Sequence, residues 1–244
     1  MKRYGLIGYP LSHSFSQQYF ADKFQSENIS NCAYELFPIA SIDELGNLLA
    51  AHPDLKGLNV TIPYKQLVLP YLTDISNLPG RLLACNCIKI EGATLTGYNT
   101  DVIGFEESFK PLLQPHHTKA LVLGSGGAAA AVTYVLRKLN IEYKIVSRTG
   151  GNGEALTYDE VDASVIAEYP VIINTTPLGQ YPNTQAAPAL PYDAITSKHY
   201  LFDLLYNPSK TIFLQRGEEQ GAAIKNGQEM LVIQAEESWR IWNS

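Results

Sequence analysis

Short apolar runs alternate with amphipathic segments along most of the chain, and this alternation predicts the secondary structure. The apolar runs predict strands at residues 3–8, 32–37 and 57–62, a strand somewhere within 82–90, and strands at 95–98, 119–123, 143–147, 170–174, 200–203 and 222–225. Helical spacing predicts helices at residues 17–24, 42–49, 67–72 and 101–109, in a run ending at 140, and at 211–220 and 227–242. Strands that alternate with helices favour parallel pairing through right-handed crossovers, with one hairpin turn at residues 91–94. The expected fold class is therefore α/β.

The third predicted strand, at residues 57–62, carries apolar residues at alternate positions and then meets Pro63. Proline fixes its own φ and keeps the preceding residue out of the helical region, so the chain must leave the sheet here. This places Thr61 and Lys65 at the carboxyl end of a strand. In open α/β sheets, ligands bind in the crevice beyond such strand ends.

A glycine-rich turn, Gly124-x-Gly126-x-x-Ala129, directly follows the strand at residues 119–123 and opens a helical run. The first glycine permits a tight turn, the second lets the backbone approach a pyrophosphate, and the small third residue lets helix pack on strand. The helix N-terminus then offers free N–H groups to the anion. The sequence predicts a nucleotide-binding turn here, and a purely structural turn is the alternative.

The end of the next strand indicates which cofactor is bound. An NAD site needs an acid about 20 residues after the first glycine, whereas an NADP site needs a positive group there. This chain has Ser147-Arg148-Thr149 at that strand end and no Asp or Glu. Arg148 can neutralise a 2′-phosphate, and the two hydroxyls can donate to it, so NADP is favoured. The alternative is that Arg148 is only a surface arginine.

Lys65 and Asp101 are the charged residues that stand out at loop-like strand ends in the first half of the chain. A lysine beside a carboxylate can stabilise a developing alkoxide and transfer a proton while a cofactor moves hydride. Neutral groups suited to a hydroxyl-rich ligand are Ser14, Ser16, Thr61, Asn86 and Asn99. On the residues alone, a solvated Lys65 and a helix-capping Asp101 remain open alternatives.

Composition narrows the function classes further. The formal net charge of −6 argues against nucleic acid as a partner, because phosphate contacts need a basic face. Three cysteines suggest reduced thiols in a cytoplasmic protein, and no second Cys/His pair has metal-ligand spacing to Cys85 and Cys87. His116-His117 is expected at the surface. We expect no signal peptide, no membrane span and no metal.

Several motifs occur in a fixed order: 8–16 (GYPLSHSFS), 59–65 (NVTIPYK), 99–101 (NTD), the turn at 124–129, 147–149 (SRT), 174–179 (NTTPLG), 203–208 (DLLYNP) and 227–235 (GQEMLVIQA). With these, the chain resembles the shikimate dehydrogenase family over essentially its whole length. The resemblance implies a substrate-binding domain at 1–100, a mixed, mostly parallel α/β sheet, and a Rossmann-like NADP-binding domain at 101–227. It also implies that a C-terminal helix at 228–244 packs back on the first domain.

The family implies reversible reduction of 3-dehydroshikimate to shikimate with NADPH, on the route to chorismate and aromatic amino acids. Lys65 and Asp101 would form the catalytic pair and contact the substrate, and Ser14 and Ser16 would bind its carboxylate. The remaining substrate contacts implied are Thr61, Asn86, Tyr206 and Gln234. The partner is thus a small molecule, and the chain is expected to be a monomer or homodimer.

For the cofactor, the resemblance implies that the backbone of residues 124–128 binds the pyrophosphate and that Arg148 binds the 2′-phosphate. The cofactor-binding positions are Gly124, Ser125, Gly126, Gly127, Ala128, Ser147, Arg148, Thr149, Thr175, Thr176, Pro177, Leu204, Gly227 and Met230. The last three are expected near the nicotinamide end.

Three departures from the family pattern stand out. Val102 replaces the usual glycine after Asn-Thr-Asp, Ser147 replaces the usual Asn, and a glycine-rich segment at 150–153 replaces a helix with further basic residues. Two other functions stay open: a quinate/shikimate dehydrogenase with broader substrate or NAD use, and a sensor without catalysis. The intact pair of Lys65 and Asp101 argues against the sensor, because binding alone does not require it.

Overall fold

The computed structural model describes residues 1–11, 14–80, 82–150 and 155–244, and the chain forms two compact units. Unit 1 comprises Met1–Ile103 and Val232–Ser244, and unit 2 comprises Gly104–Leu231. The predicted domains had boundaries after residues 100 and 227. Residues 12 and 13 of the first motif and 151–153 of the glycine-rich segment lie outside the described residues.

Unit 1 is built on a five-stranded sheet in the order β2-β1-β3-β4-β5. Its elements are β1 (Lys2–Gly8), α1 (Phe15–Ser26), β2 (Cys32–Pro38), α2 (Leu45–Ala51), β3 (Leu55–Val60), α3 (Tyr64–Leu67), β4 (Cys87–Glu91), β5 (Thr94–Tyr98), the start of α4 (Thr100–Phe109) and most of α8 (Gln228–Trp242). β1 pairs in parallel with β2 and β3, while β4 runs antiparallel to β3 and β5. Four of the five strands therefore run in one direction, which confirms the mixed, mostly parallel sheet.

Aromatic side chains pack the C-terminal helix onto one face of this sheet. Trp242 stacks on Tyr4 with ring centroids 4.9 Å apart, and its Nε1 donates to the Ile88 carbonyl at 3.0 Å. Gly57 makes room for this indole, because a Cβ there would overlap Trp242. The opposite face holds a second apolar cluster that includes Ile7, Phe37, Leu58, Val60 and Val68.

Two local predictions in unit 1 were wrong. Ile62 is not in β3, which ends at Val60, and its side chain is 74% exposed. Helix α3 begins at Tyr64, three residues earlier than predicted, because Tyr64 N donates to the Thr61 carbonyl at 2.8 Å and turns the chain at once. Lys65 therefore lies in the first turn of a short helix.

Unit 2 is built on a six-stranded sheet in the order β11-β10-β9-β6-β7-β8, and every pairing is parallel. Its elements are the remainder of α4, β6 (Lys119–Leu123), α5 (Gly127–Lys138), β7 (Glu142–Val146), β8 (Ala155–Leu156), α6 (Ala163–Glu168), β9 (Val171–Asn174), β10 (Tyr200–Asp203), α7 (Ile212–Glu219) and β11 (Ala223–Lys225). Counted from β6, the strand order is 3-2-1-4-5-6, as in dinucleotide-binding sheets, with the order reversing between β6 and β9. The predicted α/β fold class is confirmed.

The sequence patterns missed β8 and α6, and they misplaced one histidine. His117 is buried rather than at the surface, because its ring nitrogens bond the Gln114 N–H and the Lys198 carbonyl.

No helix in the described part of the chain is long and apolar enough to cross a membrane.

Candidate functional site

The strand register of unit 1 brings the predicted substrate-site segments to one edge of its sheet. β1 and β3 are parallel neighbours, so the segments that follow Gly8 and Val60 leave the same edge. Cys87, at the start of β4, pairs with Asn59 near the end of β3, and Tyr98, at the end of β5, pairs with Cys87. The residues just before β4 and just after β5 therefore reach that edge too.

Lys65 and Asp101 form an ion pair at this edge. Lys65 Nζ lies 2.7 Å from Asp101 Oδ2, and the two side chains are 21% and 15% exposed. A short charge-assisted bond between partly desolvated groups holds the ammonium in one position. The structure thus joins two side chains that are 36 residues apart in the sequence.

The segment at 84–86 holds the two halves of this pair together. Cys85 N donates to the Lys65 carbonyl at 2.7 Å, and Asn99 Nδ2 donates to the Ala84 carbonyl at 2.8 Å. Asn99 Oδ1 also accepts from Val102 N at 3.2 Å, so Asn99 caps helix α4. Both the nitrogen and the oxygen of the Asn99 side-chain amide are thus bonded within unit 1. Val102 is buried within the helix, a conformation that valine adopts without strain.

Asn86 and Gln234 meet at Thr100, next to Asp101. Asn86 Oδ1 accepts from Thr100 N at 2.6 Å, and its Nδ2 donates to Thr100 Oγ1 at 3.0 Å. Thr100 Oγ1 lies 3.4 Å from Gln234 Oε1 and 3.3 Å from Ser238 Oγ. These buried contacts fix the residue that precedes Asp101 and so restrict where its carboxylate can point.

The other predicted substrate contacts lie in both units. Ser14 is the N-cap residue of α1, and Ser16 lies in the first turn of that helix. Thr61 is half-buried, and its methyl group lies so close to Gly8 that a Cβ there would overlap it. Tyr206 lies in unit 2, in the segment that follows β10.

Unit 2 has a cavity of about 600 Å³ at the carboxyl ends of its strands. Its lining residues are Gly124, Ser125, Gly126, Ser147, Arg148, Thr149, Tyr158, Thr175, Thr176, Pro177 and Leu178. All but Tyr158 and Leu178 are predicted cofactor positions. The loops after β6 and β9 flank it, so the cavity sits where the strand order reverses, as ligand sites in such sheets do.

The glycine turn fits a dinucleotide at this cavity. Gly124 has φ +101°, which only glycine adopts easily, and a Cβ there would lie 2.8 Å from Thr175 Oγ1. Gly126 and Gly127 face open space, and α5 begins at Gly127, with Ala128 next in its first turn. The free N–H groups of that first turn are therefore available to a phosphate.

The cation of the cavity is Arg148. Its side chain is exposed and makes no hydrogen bond or salt bridge with the residues the structure describes. The described lining contains no carboxylate that would repel a 2′-phosphate. These donors and this charge fit NADP.

Gly227 lies against Leu204 beyond β10 in unit 2, and Met230 follows in α8. Gly227 N donates to the Leu205 carbonyl at 2.9 Å, and a Cβ on Gly227 would overlap the Leu204 backbone. Met230, one turn into α8, is buried. Only glycine allows the two segments to approach so closely.

Asp203 ties the loops beside the cavity together. This fully buried carboxylate accepts from Thr211 Oγ1 at 2.6 Å, Leu205 N at 3.0 Å and Asn174 Nδ2 at 3.0 Å. Asn174 Oδ1 in turn accepts from the N–H and hydroxyl of Thr176, a lining residue. Burial raises the pKa of Asp203 to about 6, and the three hydrogen bonds oppose that rise.

Replacing Asp203 with Asn should remove one pH-dependent contribution to the free energy of unfolding. A carboxyl whose pKa rises on folding stabilises the fold fully below its unfolded pKa, near 3.8, and loses that stabilisation as pH rises through about 6. Relative to Asp203→Asn, the wild type should therefore lose about 3 kcal/mol of unfolding free energy between pH 3.5 and pH 7. Urea unfolding at several pH values measures this. Asp22→Asn, at an exposed site, is the control, and a constant difference across pH would contradict the expectation.

Residue-level prediction missed Tyr158 in the cavity and the buried network behind Asp101. Thr157 and Glu160 have capping-box spacing, which signals a turn there and could have drawn attention to Tyr158. Asn59 lies in a quoted motif, and its amide bonds Ser238 Oγ at 3.0 Å and the Tyr34 phenol at 2.8 Å. No sequence pattern links Asn59 to Ser238, because they are 179 residues apart.

Comparisons with known proteins match these observations. The family model for the shikimate dehydrogenase substrate-binding domain matches residues 6–88. A shikimate dehydrogenase (NADP(+)) from Clostridium beijerinckii is 38% identical over 254 residues, which cover 99% of this chain and 92% of the relative. Similar solved structures include shikimate 5-dehydrogenase from Thermus thermophilus in complex with NADP(H) and shikimate (TM-score 0.84, 28% identity, 99% of this chain and 93% of that one). Quinate dehydrogenase from Corynebacterium glutamicum in complex with NAD has a TM-score of 0.86 at 25% identity, again over 99% and 93%.

The similarity spans both units rather than one motif. The resemblance stated from the sequence motifs is confirmed. This chain belongs to the shikimate dehydrogenase family.

Proposed function

We propose that the chain catalyses the reversible, NADP-dependent reduction of 3-dehydroshikimate to shikimate, on the route to chorismate and aromatic amino acids. The observation that carries the proposal is the 2.7 Å pair of Lys65 and Asp101, placed at a ligand-binding sheet edge in a chain of this family. Unit 1 binds the substrate, and unit 2 binds the cofactor. We also propose that the enzyme acts in the cytoplasm as a monomer or homodimer, and its three unpaired cysteines support a reducing compartment.

In this mechanism, Lys65 Nζ exchanges a proton with the oxygen that changes oxidation state. During reduction, its ammonium gives a proton to the developing alkoxide, and in the reverse direction the amine takes it back. Asp101 fixes the position of Nζ. Ser14 and Ser16 hold the carboxylate, and Thr61, Asn86, Tyr206 and Gln234 bind ring hydroxyls, since each buried polar group of a sugar-like acid needs a partner.

NADPH, when bound, supplies the hydride. The first turn of α5 and the residues at 124–128 hold its pyrophosphate, and Arg148 holds its 2′-phosphate, with Ser147 and Thr149 on either side of it in the chain. On the β9 side, the cavity is lined by Thr175, Thr176 and Pro177. Leu204, Gly227 and Met230 form the nicotinamide end.

The second candidate is a quinate/shikimate dehydrogenase, because a quinate dehydrogenase with bound NAD shares this fold at a TM-score of 0.86. Arg148 and the absence of a carboxylate from the described cavity lining favour NADP over NAD. The sensor function lacks such support, because binding does not require an ion pair of Lys65 with Asp101.

Initial rates with shikimate and with quinate, each with NADP and with NAD, distinguish these functions. We expect shikimate with NADP to give the highest kcat/KM, with NAD lower by at least about tenfold, since a charge-assisted contact to the 2′-phosphate stabilises by about 1.5–3 kcal/mol. Comparable rates with quinate would favour the second candidate. No turnover with any pair, in folded protein that binds ligand, would refute the enzymatic function.

A further inference from the structure

Tyr158 reaches the same sheet edge as Arg148, one strand further out. β7 and β8 pair in parallel with Val146 opposite Leu156. The Ser147 N–H donates to the Leu156 carbonyl at 2.9 Å, which continues the pairing past the end of β7. Arg148 and Tyr158 each follow the Val146–Leu156 pair by two residues. Both line the cavity of unit 2.

The ring of Tyr158 is held in place, and its hydroxyl makes no hydrogen bond to the residues that the structure describes. Tyr158 opens a short 3₁₀ turn that Thr157 and Glu160 cap, with Thr157 N donating to Glu160 Oε2 at 2.7 Å. The ring packs against the apolar core of unit 2. Its hydroxyl has no hydrogen-bond partner among the described residues, although the side chain is only partly exposed. An anchored ring with an unused donor is suited to a ligand contact.

The charge beside this hydroxyl is that of Arg148. Burial raises the pKa of Tyr158, and the positive charge of Arg148 partly offsets the rise. The hydroxyls of Ser147 and Thr149 both donate to the Gly150 carbonyl, at 3.3 and 3.5 Å. The donors at this end of the cavity that are not engaged within the described protein are therefore Arg148 and Tyr158.

We propose that the Tyr158 hydroxyl donates a hydrogen bond to the 2′-phosphate of NADP beside Arg148 and so helps this chain select NADP over NAD. A phosphate offers several acceptor oxygens, and one bound to the guanidinium still has oxygens free for a neighbouring phenol. The ribose of NAD carries no such phosphate and gains no charge-assisted bond from this hydroxyl. The inference rests on the proposed NADP-dependent function and adds a residue to its cofactor site.

Tyr158→Phe removes the hydroxyl and keeps the packed ring. We expect it to raise the Kd for NADP about tenfold, because it deletes one hydrogen bond to a charged group, and to leave the Kd for NAD within about twofold. Calorimetric titration with NADP and NAD, and with 2′,5′-ADP against 5′-AMP, measures this without turnover. Tyr143→Phe is the matched control, since its hydroxyl contacts Arg137 and its ring does not line the cavity.

Each outcome has a defined meaning. Unchanged NADP affinity in Tyr158→Phe would overturn the inference while leaving the proposed function standing. Equal weakening of NADP and NAD would also overturn it, because the hydroxyl would then contact a part that both cofactors share. Wild-type protein that binds no NADP would overturn the inference and the proposed cofactor together. The factor by which Tyr158→Phe changes the Kd for NADP should differ between the Arg148→Ala background and the wild type, as expected for two donors that bind one phosphate. Equal factors in the two backgrounds would contradict a shared phosphate.

Discussion

Replacing Lys65 with Ala should lower kcat by about 10²- to 10⁴-fold, the usual contribution of a positioned proton donor. The variant keeps the fold of unit 1, because the Lys65 backbone, not its side chain, accepts the bond from Cys85 N. NADP affinity should stay within about twofold, since Lys65 does not line the cofactor cavity. Steady-state rates with shikimate and NADP, together with cofactor titration, measure both. Added ethylamine should restore part of the activity, because a small amine can occupy the position of the missing Nζ.

The matched control for this experiment is Lys89→Ala. Lys89 lies in the same unit, its side chain is 13% exposed, and it pairs with Glu91 at 3.1 Å. Losing that pair should change kcat by about twofold or less, since Glu91 is 63% exposed and neither residue belongs to the site at Lys65 and Asp101. Equal losses at Lys65 and Lys89 would indicate a general stability effect, and an unchanged rate in Lys65→Ala would remove Lys65 from the mechanism.

Sequence patterns located the ends of strands where a distinctive residue, such as glycine or proline, directly follows the strand. The strand at 119–123 and the glycine turn after it are contiguous, so residue order alone places Gly124 and Gly126 at a helix N-terminus. Proline after the third strand likewise placed Lys65 beyond a strand end. These predictions depend on neighbours within a few residues, which a single sequence contains.

Contacts across the fold were not predictable in the same way. The amide of Asn86 bonds Thr100 because a hairpin returns the chain to the same sheet edge, and the register decides which atoms meet. The strand Ala155–Leu156 has two residues, too few to show any periodicity, so β8 was missed. Without β8 there was no reason to place Tyr158 beside Arg148. The catalytic role of Lys65 and Asp101 is a prediction that rests on the family resemblance.

Replacing Arg148 with Ala should raise the Kd for NADP by about 10- to 100-fold and leave the Kd for NAD within about twofold. A guanidinium bound to a phosphate forms charge-assisted hydrogen bonds that contribute about 1.5–3 kcal/mol, which corresponds to that range. The ribose hydroxyl of NAD has no charge to pair with it. Titration of both cofactors at two salt concentrations measures the effect. Salt should weaken NADP binding in the wild type more than in the variant, because the exposed charge of Arg148 is screened.

Arg216→Ala is the matched control for Arg148. Arg216 lies in unit 2 and is held over the Tyr192 ring, 4.9 Å from its centroid, and it does not line the cavity. Its loss should leave the ratio of NADP to NAD affinity unchanged even if the protein becomes less stable. Equal weakening of both cofactors by Arg148→Ala would refute a contact with the 2′-phosphate and place Arg148 against the part they share. A selective loss of NADP affinity smaller than tenfold would indicate that neighbouring hydroxyls, first that of Tyr158, contribute more of the binding free energy of the 2′-phosphate than Arg148 does.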